Sequence, residues 1–259
     1  MFEALQTRGF EVLALHHAEA IVSVDFAEAI SDLEIVLKAA ELPVLELVAG
    51  GGGETKLTQR IRQGLAEKGW LKRNIEIIKK VKWDEASEPV EVAALSHEID
   101  HVKAFPNGKV FALEIEWNNK DPFFDRDLEN FKRLHSEGAI SVGAIITRGA
   151  SLHGEMREII LRFANENQIN SFKDLEAFGY DPTRRQQREI EKRAEKTGSF
   201  REAWAQWFVS DKFGEATTHW KKLQDRVLRG VGNPCPLVLI GLPSSVVTFD
   251  YSAASTDEL

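Results

Sequence analysis

Three acidic residues, Asp100, Glu114 and Glu116, lie in the segment SHEIDHVKAFPNGKVFALEIEW, in two strand-like runs that are otherwise largely apolar. Side chains alternate between the two faces of a strand. Glu114 and Glu116 therefore share one face of VFALEIEW, and the other face carries Phe111, Leu113, Ile115 and Trp117. Carboxylates grouped in this way can hold a divalent cation, whose usual ligands are oxygen atoms.

The turn between the two runs decides whether Asp100 joins the two glutamates. A two-residue Asn107–Gly108 hairpin would place Asp100 on the opposite face from Glu114. A three-residue loop, with Gly108 in the left-handed position, would pair Phe105 with Lys109. The fixed φ of Pro106 favours the three-residue loop. This register sets Asp100 opposite Glu114, with Cβ atoms roughly 5 Å apart.

Like charges this close repel unless they share a cation or a proton. Mg²⁺ accepts one or two carboxylates and keeps several waters that a substrate phosphate can replace. The alternation alone is equally compatible with a solvated polar face of a strand. Evidence from outside the hairpin is needed to choose between the two interpretations.

A basic segment precedes the acidic hairpin. Between residues 56 and 82, only Glu67 and Glu76 oppose nine cations, which are Lys56, Arg60, Arg62, Lys68, Lys72, Arg73, Lys79, Lys80 and Lys82. Such a charge run is often only a solvated helix face followed by an edge strand. Next to an acidic metal patch, it indicates a protein that binds and cuts a polyanion. A glycosidase would also explain paired acids, but it would not explain this segment.

The whole chain limits the class of protein. It has 259 residues, 43% hydrophobic content and a formal net charge of −8, which argues against indiscriminate coating of nucleic acid but permits a local basic groove. The single cysteine, Cys235, excludes an intramolecular disulfide and a cysteine-based zinc site. No apolar run approaches the ~20 residues of a membrane span, and we expect a cytoplasmic protein.

The hydrophobic patterns predict the elements that position the acids. FEVLALHH is typical of a strand, and FDRDLENFKRLHSEG of a helix with one apolar face. AISVGAIITRG and PCPLVLIGLP indicate buried strands. The succession predicts an α/β fold with a central mixed sheet flanked by helices. We expect one domain over residues 1–259, with a catalytic hairpin at about 97–117 and a flexible tail at about 251–259.

Asp100 followed by EIEW resembles the signature of the PD-(D/E)XK nuclease superfamily. The order of a basic helix ending in EKGW, the acidic hairpin, a helix, a buried strand and a terminal RGVGNPCPLVLIGLP resembles the BglII/BstYI group of type II restriction endonucleases over most of the chain. Two positions depart from the signature. Ile99 replaces the proline before the first acid, and Glu116 replaces the lysine of the third position, as in the related BamHI.

The resemblance implies roles for individual residues. Asp100, Glu114 and the carbonyl of Ile115 would hold one or two Mg²⁺ ions, and Glu116 would orient water. The glutamate at the third position leaves the general base open between Lys120 and a metal-bound hydroxide. Asn118, Asn119 and Lys120 would contact DNA at the strand end, although a turn with a helix cap would also explain the asparagines.

The resemblance further implies a homodimer that cuts double-stranded DNA at a palindromic, GATC-centred site. Its expected interface is the helix from Asp125 to Glu137 together with the segment from Met156 to Asn165. Lys79, Lys80 and Lys82 are expected to contact phosphates. The alternatives are a repair or junction nuclease of the same superfamily and a DNA-binding module without catalysis.

Overall fold

A computed structural model of the protein describes residues 1–49 and 54–251. The glycine run after Ala49, to which we assign no chemistry, and all but the first residue of the predicted tail lie outside these ranges. The described helices are α1 (Glu3–Gln6), α2 (Ala18–Asp25), α3 (Ala27–Lys38), α4 (Val44–Val48), α5 (Lys56–Glu67), α6 (Phe123–Ser136), α7 (Ala150–Gly154), α8 (Met156–Glu166), α9 (Phe172–Glu176), α10 (Arg184–Thr197), α11 (Phe200–Lys212) and α12 (Trp220–Leu228). The described strands are β1 (Glu11–Leu15), β2 (Leu42–Pro43), β3 (Leu71–Val81), β4 (Val90–Ala104), β5 (Val110–Glu116), β6 (Val142–Arg148), β7 (Leu237–Leu242) and β8 (Val247–Thr248).

The main sheet has six strands in the order β1-β7-β6-β5-β4-β3. Its centre is parallel, because β5 pairs with β6 and β6 with β7 in the same direction, whereas β1, β4 and β3 join antiparallel. The predicted mixed sheet is therefore confirmed. The apolar runs assigned to buried strands form β6 and β7, and every residue of both strands is buried.

Helices cover both faces of this sheet, and the alternation along β5 decides what each face contacts. Phe111 and Leu113 point into the larger core, which also contains the apolar side of α8. Ala112 points into the smaller core with Phe124 and Phe131 of α6. Glu114 and Glu116 follow Ala112 at every second position, so they lie on the face that α6 covers.

The structure places the two helices of the predicted interface in different cores. Phe131 of α6 packs in the smaller core, whereas Met156 and Phe163 of α8 pack in the larger core on the other side of the sheet. Their role as an interface between two chains stays a prediction. The sequence pattern marked both helices as amphipathic but did not indicate which face of the sheet each one covers.

The turn between β4 and β5 is the predicted three-residue loop. The amide of Phe105 donates to the carbonyl of Lys109 over 2.9 Å, and the amide of Gly108 donates back to the carbonyl of Phe105 over 2.9 Å. Gly108 has a φ of 78°, the left-handed conformation that this loop requires. The observed pairing of His101 with Leu113 continues this register, so the next position places Asp100 opposite Glu114.

Strands β3 and β4 extend beyond the rest of the sheet as a long antiparallel ribbon. Most residues of β3 and of the first half of β4 are exposed, including Ile78, Val90 and Val92. The predicted edge strand after the basic helix is therefore β3. No helix in the described ranges is long and apolar enough to cross a lipid bilayer.

Candidate active site

Glu114 and Glu116 are buried between β5 and the helix that follows it. Their residues are only 4% and 3% exposed, because α6 packs across this face of the sheet. Asp100 is different, since 55% of its side chain is exposed at the neighbouring strand β4. Its backbone amide donates to Glu114 Oε1 over 3.3 Å, which joins the two strands at the level of the acids.

A fourth acid, Asp127, was missed by the sequence analysis. It lies on α6, is only 1% exposed, and is one of the charges that raise the pKa values of Glu114 and Glu116. The helical spacing of the sequence could have identified Asp127 as a buried acid. Asp127 lies three residues after Phe124 and beside Leu128, on the apolar side of the helix, where an unpaired acid would be costly.

Two side chains offset part of the charge on Glu116. The amide of Asn119 donates to Glu116 Oε2 over 2.6 Å, and Arg126 Nη2 lies 3.4 Å from Glu116 Oε1. Arg126 also donates from Nε to Asp127 Oδ1 over 2.7 Å and stacks over the ring of Phe123. One guanidinium therefore faces two buried carboxylates, and it lies beyond ion-pair distance of the third, Glu114.

Asp100 does not turn its carboxylate fully toward the glutamates. Lys72 on β3 lies 3.6 Å from Asp100 Oδ1 and forms a closer ion pair of 2.6 Å with Glu98. Among the described residues, no three of the four acids bring carboxylate oxygens within 4.8 Å of one another. The predicted cluster thus shares one patch of the surface, but Asp100 must rotate before it can share a cation with Glu114.

Burial dominates the electrostatics of the patch. Burial first, and then the negative charges of Asp127 and Asp100, together raise the pKa of Glu114 to about 9. Burial and the neighbouring Asp127 raise the pKa of Glu116 to about 8, although Asn119 and Arg126 act in the opposite direction. The pKa of Asp127 is also raised, first by burial. Without a cation, these acids are held partly in their protonated forms near neutral pH.

The residues present fit a divalent cation. Asp127 Oδ2 is buried and accepts no hydrogen bond from a neighbouring N–H group, and the Asp127 and Glu116 side chains interact directly, so these two carboxyl groups must share a proton or a cation. All four acids offer oxygen atoms, which hard divalent cations prefer. A bound cation would stabilise the ionised forms that burial and mutual repulsion disfavour.

The three residues predicted to contact DNA after β5 have distinct environments. The amide of Asn118 donates to the carbonyl of Lys212 over 2.9 Å, which ties it to the end of α11. Asn119 is exposed but bonds Glu116, so its first role in the structure is to orient that carboxylate. Lys120 is exposed and pairs through its backbone with Thr217. Asn119 and Lys120 remain accessible at the edge of the acidic patch.

Several cations of the basic segment are already paired with carboxylates. Arg60, Arg62, Lys72 and Lys79 each pair with a carboxylate, those of Glu46, Glu54, Glu98 and Glu137 respectively. Lys80 and Lys82 are exposed on the β3–β4 ribbon. Of the three lysines predicted to contact phosphates, Lys79 is the one whose ammonium group already has a strong partner.

We expect the metal-free protein to lose stability as pH rises. The folded-state pKa of Glu114 is raised from 4.5 to about 9, so its contribution is fully present below about pH 4.5 and is lost as pH rises through about 9. Glu114→Gln should match wild type at pH 5 and exceed its free energy of unfolding by at least about 1 kcal/mol at pH 9. Urea denaturation in a chelator at both pH values measures this difference.

Glu88→Gln, in the exposed turn between β3 and β4, is the matched control and should follow the wild-type pH dependence. Equal pH dependence in wild type and Glu114→Gln would contradict the assigned burial of the Glu114 charge.

Comparison with known proteins identifies the family. The family model described as restriction endonuclease BglII/BglIII matches residues 10–242, a range that contains all four acids and the strand end after β5. A search of curated proteins found no match. Because the family match covers most of the 259 residues, the chain belongs to the BglII/BglIII restriction endonuclease family and is a type II site-specific deoxyribonuclease, which acts on double-stranded DNA with a divalent metal ion.

Proposed function

We propose that this endonuclease is Mg²⁺-dependent, acts as a homodimer and cuts both strands of a palindromic site through the patch formed by Asp100, Glu114, Glu116 and Asp127. The observation that carries the proposal is the burial of three of these acids against one another with a single facing guanidinium, that of Arg126. Such a cluster is costly for a purely structural site and is relieved by a divalent cation. Family membership favours this function over a repair or junction nuclease.

Asp100 and Glu114 are the proposed side-chain ligands, with the backbone carbonyl of Ile115 as a third. The two residues lie opposite each other on β4 and β5, and Asp100 is exposed enough to rotate away from Lys72. When bound, Mg²⁺ would neutralise charge on the scissile phosphate and make a coordinated water more acidic. Mg²⁺ is favoured over softer metals because the ligands are all oxygen atoms.

Glu116 is the residue that we propose to orient the attacking water. Asn119 holds its Oε2 atom, Arg126 lies farther from Oε1, and Asp127 also interacts with this carboxyl group; we assign Oε1 as the oxygen that accepts a proton. In the reaction, the water oxygen forms a bond to phosphorus as the bond from phosphorus to the 3′ oxygen breaks. The surroundings that raise the pKa of Glu116 also make it a better proton acceptor than an ordinary carboxylate.

Recognition is proposed for the residues at the end of β5. Lys120 and the free part of the Asn119 amide are exposed beside the patch, and asparagine can pair with adenine through its two-sided amide. Asn118 would act indirectly, since its amide is bonded to Lys212. The resemblance to the BglII/BstYI group supports a GATC-centred site.

The first test is digestion of a plasmid of known sequence with Mg²⁺, followed by sequencing of the cut ends. We expect discrete fragments with one common palindromic site. Asp100→Asn and Glu114→Gln should lower cleavage by several orders of magnitude, because each removes a metal ligand at nearly constant volume. Both variants should still bind the duplex, since they remove negative charge that faces the phosphates.

Glu98→Gln is the matched control, because Glu98 is an exposed acid of the same strand that shares Lys72 with Asp100. It should retain cleavage. If Asp100→Asn and Glu114→Gln keep wild-type cleavage while Glu98→Gln loses it, the acids are assigned wrongly. Cutting only at junctions or damaged sites would instead indicate the repair-type alternative.

A palindromic site offers two identical half-sites, so two chains related by a two-fold axis would each cut one strand. Sedimentation equilibrium at micromolar concentration should give the mass of two 29.1 kDa chains plus one duplex when a duplex with the site is present. A monomer in both the free and the DNA-bound samples would contradict the homodimer.

Lys80 and Lys82 should contribute phosphate contacts. Replacing both with alanine should reduce the slope of log affinity against log salt by about 1–2, since each phosphate contact contributes about 0.9. Lys79→Ala is the comparison, and its effect should be smaller because Lys79 is paired with Glu137 over 2.6 Å. An unchanged slope in the double variant would show that the ribbon is only a solvated edge.

A further inference from the structure

A second group of metal-ligating side chains lies away from the acidic patch. His153 is on α7, His219 immediately precedes α12, and Glu215 lies in the segment between α11 and α12. His153 Nε2 is 3.4 Å from Glu215 Oε1, and His219 Nε2 is 3.7 Å from Glu215 Oε2. In the described part of the chain, these are the three side chains that bring potential ligand atoms within 4.8 Å of one another.

The hydrogen bonding of His219 is unsatisfied. The residue is 1% exposed, and neither of its ring nitrogens has a hydrogen-bond partner. His153 Nδ1 is likewise buried without a partner. Buried polar groups are normally paired, so an imidazole with two unpaired nitrogens indicates a missing ligand.

The distances suit a shared cation better than direct hydrogen bonds. Ligand atoms placed about 2.0–2.1 Å from a tetrahedral zinc ion are separated by about 3.3–3.4 Å. The His153–Glu215 and His219–Glu215 separations of 3.4 and 3.7 Å lie close to this edge length, and the second is too long for a hydrogen bond. The two imidazoles are stacked in parallel with centroids 3.9 Å apart, so coordination requires a rotation of the rings that turns both Nε2 lone pairs toward one point.

The charges around the group have opposing effects. Arg148 and Lys222 contribute positive potential, which disfavours a cation, whereas Glu215 contributes the compensating negative charge. Burial and the nearby positive charge lower the pKa of His219 to about 4 and also lower the pKa of His153. Both imidazoles are therefore neutral near pH 7, the form that binds metals.

We propose that His153, Glu215 and His219 form a binding site for a divalent transition-metal ion of the zinc class, separate from the Mg²⁺ site. Two imidazoles and one carboxylate are a ligand set that zinc accepts and Mg²⁺ does not favour. Glu215 is 75% exposed, so a fourth position on that side is open to water.

The site would fasten α7 to the segment that supports the active-site strand end. Residues of this segment pair with the chain after β5: the amide of Thr218 donates to the carbonyl of Asn119 over 2.8 Å, and the amide of Asn119 donates to Thr218 Oγ1 over 3.0 Å. Asn119 in turn bonds Glu116. His219 directly follows Thr218, so a metal bound to His219 would help to position Asn119.

The test is a zinc titration of the full-length protein in competition with a chromophoric chelator. It is carried out in the Glu114→Gln background so that the acidic patch is impaired as a zinc site. We expect one zinc ion per chain. His153→Asn and Glu215→Gln should weaken binding by more than about 100-fold, beyond the 10- to 100-fold typical of residues outside the ligand set. His17→Asn, which removes an exposed histidine elsewhere, should leave binding unchanged.

A second readout is thermal stability, because zinc that binds only the folded chain raises Tm. The rise should occur with His17→Asn and disappear with His153→Asn. Zinc should also slow hydrogen exchange at the amides of Asn119 and Thr218, and no slowing would overturn the positioning role. The proposal itself is overturned if zinc does not bind, if His153→Asn and Glu215→Gln bind it as tightly as His17→Asn, or if Glu114→Gln abolishes a site that wild type possesses.

Discussion

Carboxylates buried between β5 and α6 dominate the energetics of this protein's candidate site. Glu114, Glu116 and Asp127 are almost fully buried, and their charge is offset by Arg126, Asn119 and the backbone amide of Asp100. Burial disfavours their ionised forms, and their mutual proximity adds to this effect. The fold accordingly carries an electrostatic cost in the absence of a cation. Under the proposed function the same side chains supply metal ligands and a proton acceptor, so lower stability without metal and activity with metal would follow from one arrangement.

Close packing of α6 against the sheet holds this patch in place. A Cβ atom added to Gly143 on β6 would lie 2.6 Å from the ring of Phe131, so the helix approaches the sheet as closely as a glycine allows. Asp127 is one turn before Phe131 on the same side of α6 and is brought to the glutamates by this contact. The parallel β5-α6-β6 connection therefore serves both the core and the site. Asp100, on the antiparallel strand β4, is the exposed acid of the group.

The strand end after β5 depends on a different set of contacts. Arg148 is fully buried, and it donates to the carbonyls of Trp117 and Thr218 and to the hydroxyl of Thr217. It thereby joins the chain that carries Glu116 to the segment before α12. Asn119 is held between that segment and Glu116. This linkage explains how residues more than ninety positions later in the chain can influence the orientation of the Glu116 carboxylate, and it is the basis of the positioning role proposed for the histidine site.

The hairpin follows from local sequence. Pro106 and Gly108 specify the three-residue turn, and strand alternation specifies the faces, so the relation of Asp100 to Glu114 follows from about twenty consecutive residues. Local chemistry suffices there because register is set by the turn itself. Tertiary structure alone decided that Asp127 completes the patch, that Lys72 holds Asp100, and that α6 and α8 cover opposite faces of the sheet. It also brought His153, Glu215 and His219 together. These contacts join segments that are distant in the chain, and their partners depend on crossover topology and helix packing, which no local pattern encodes.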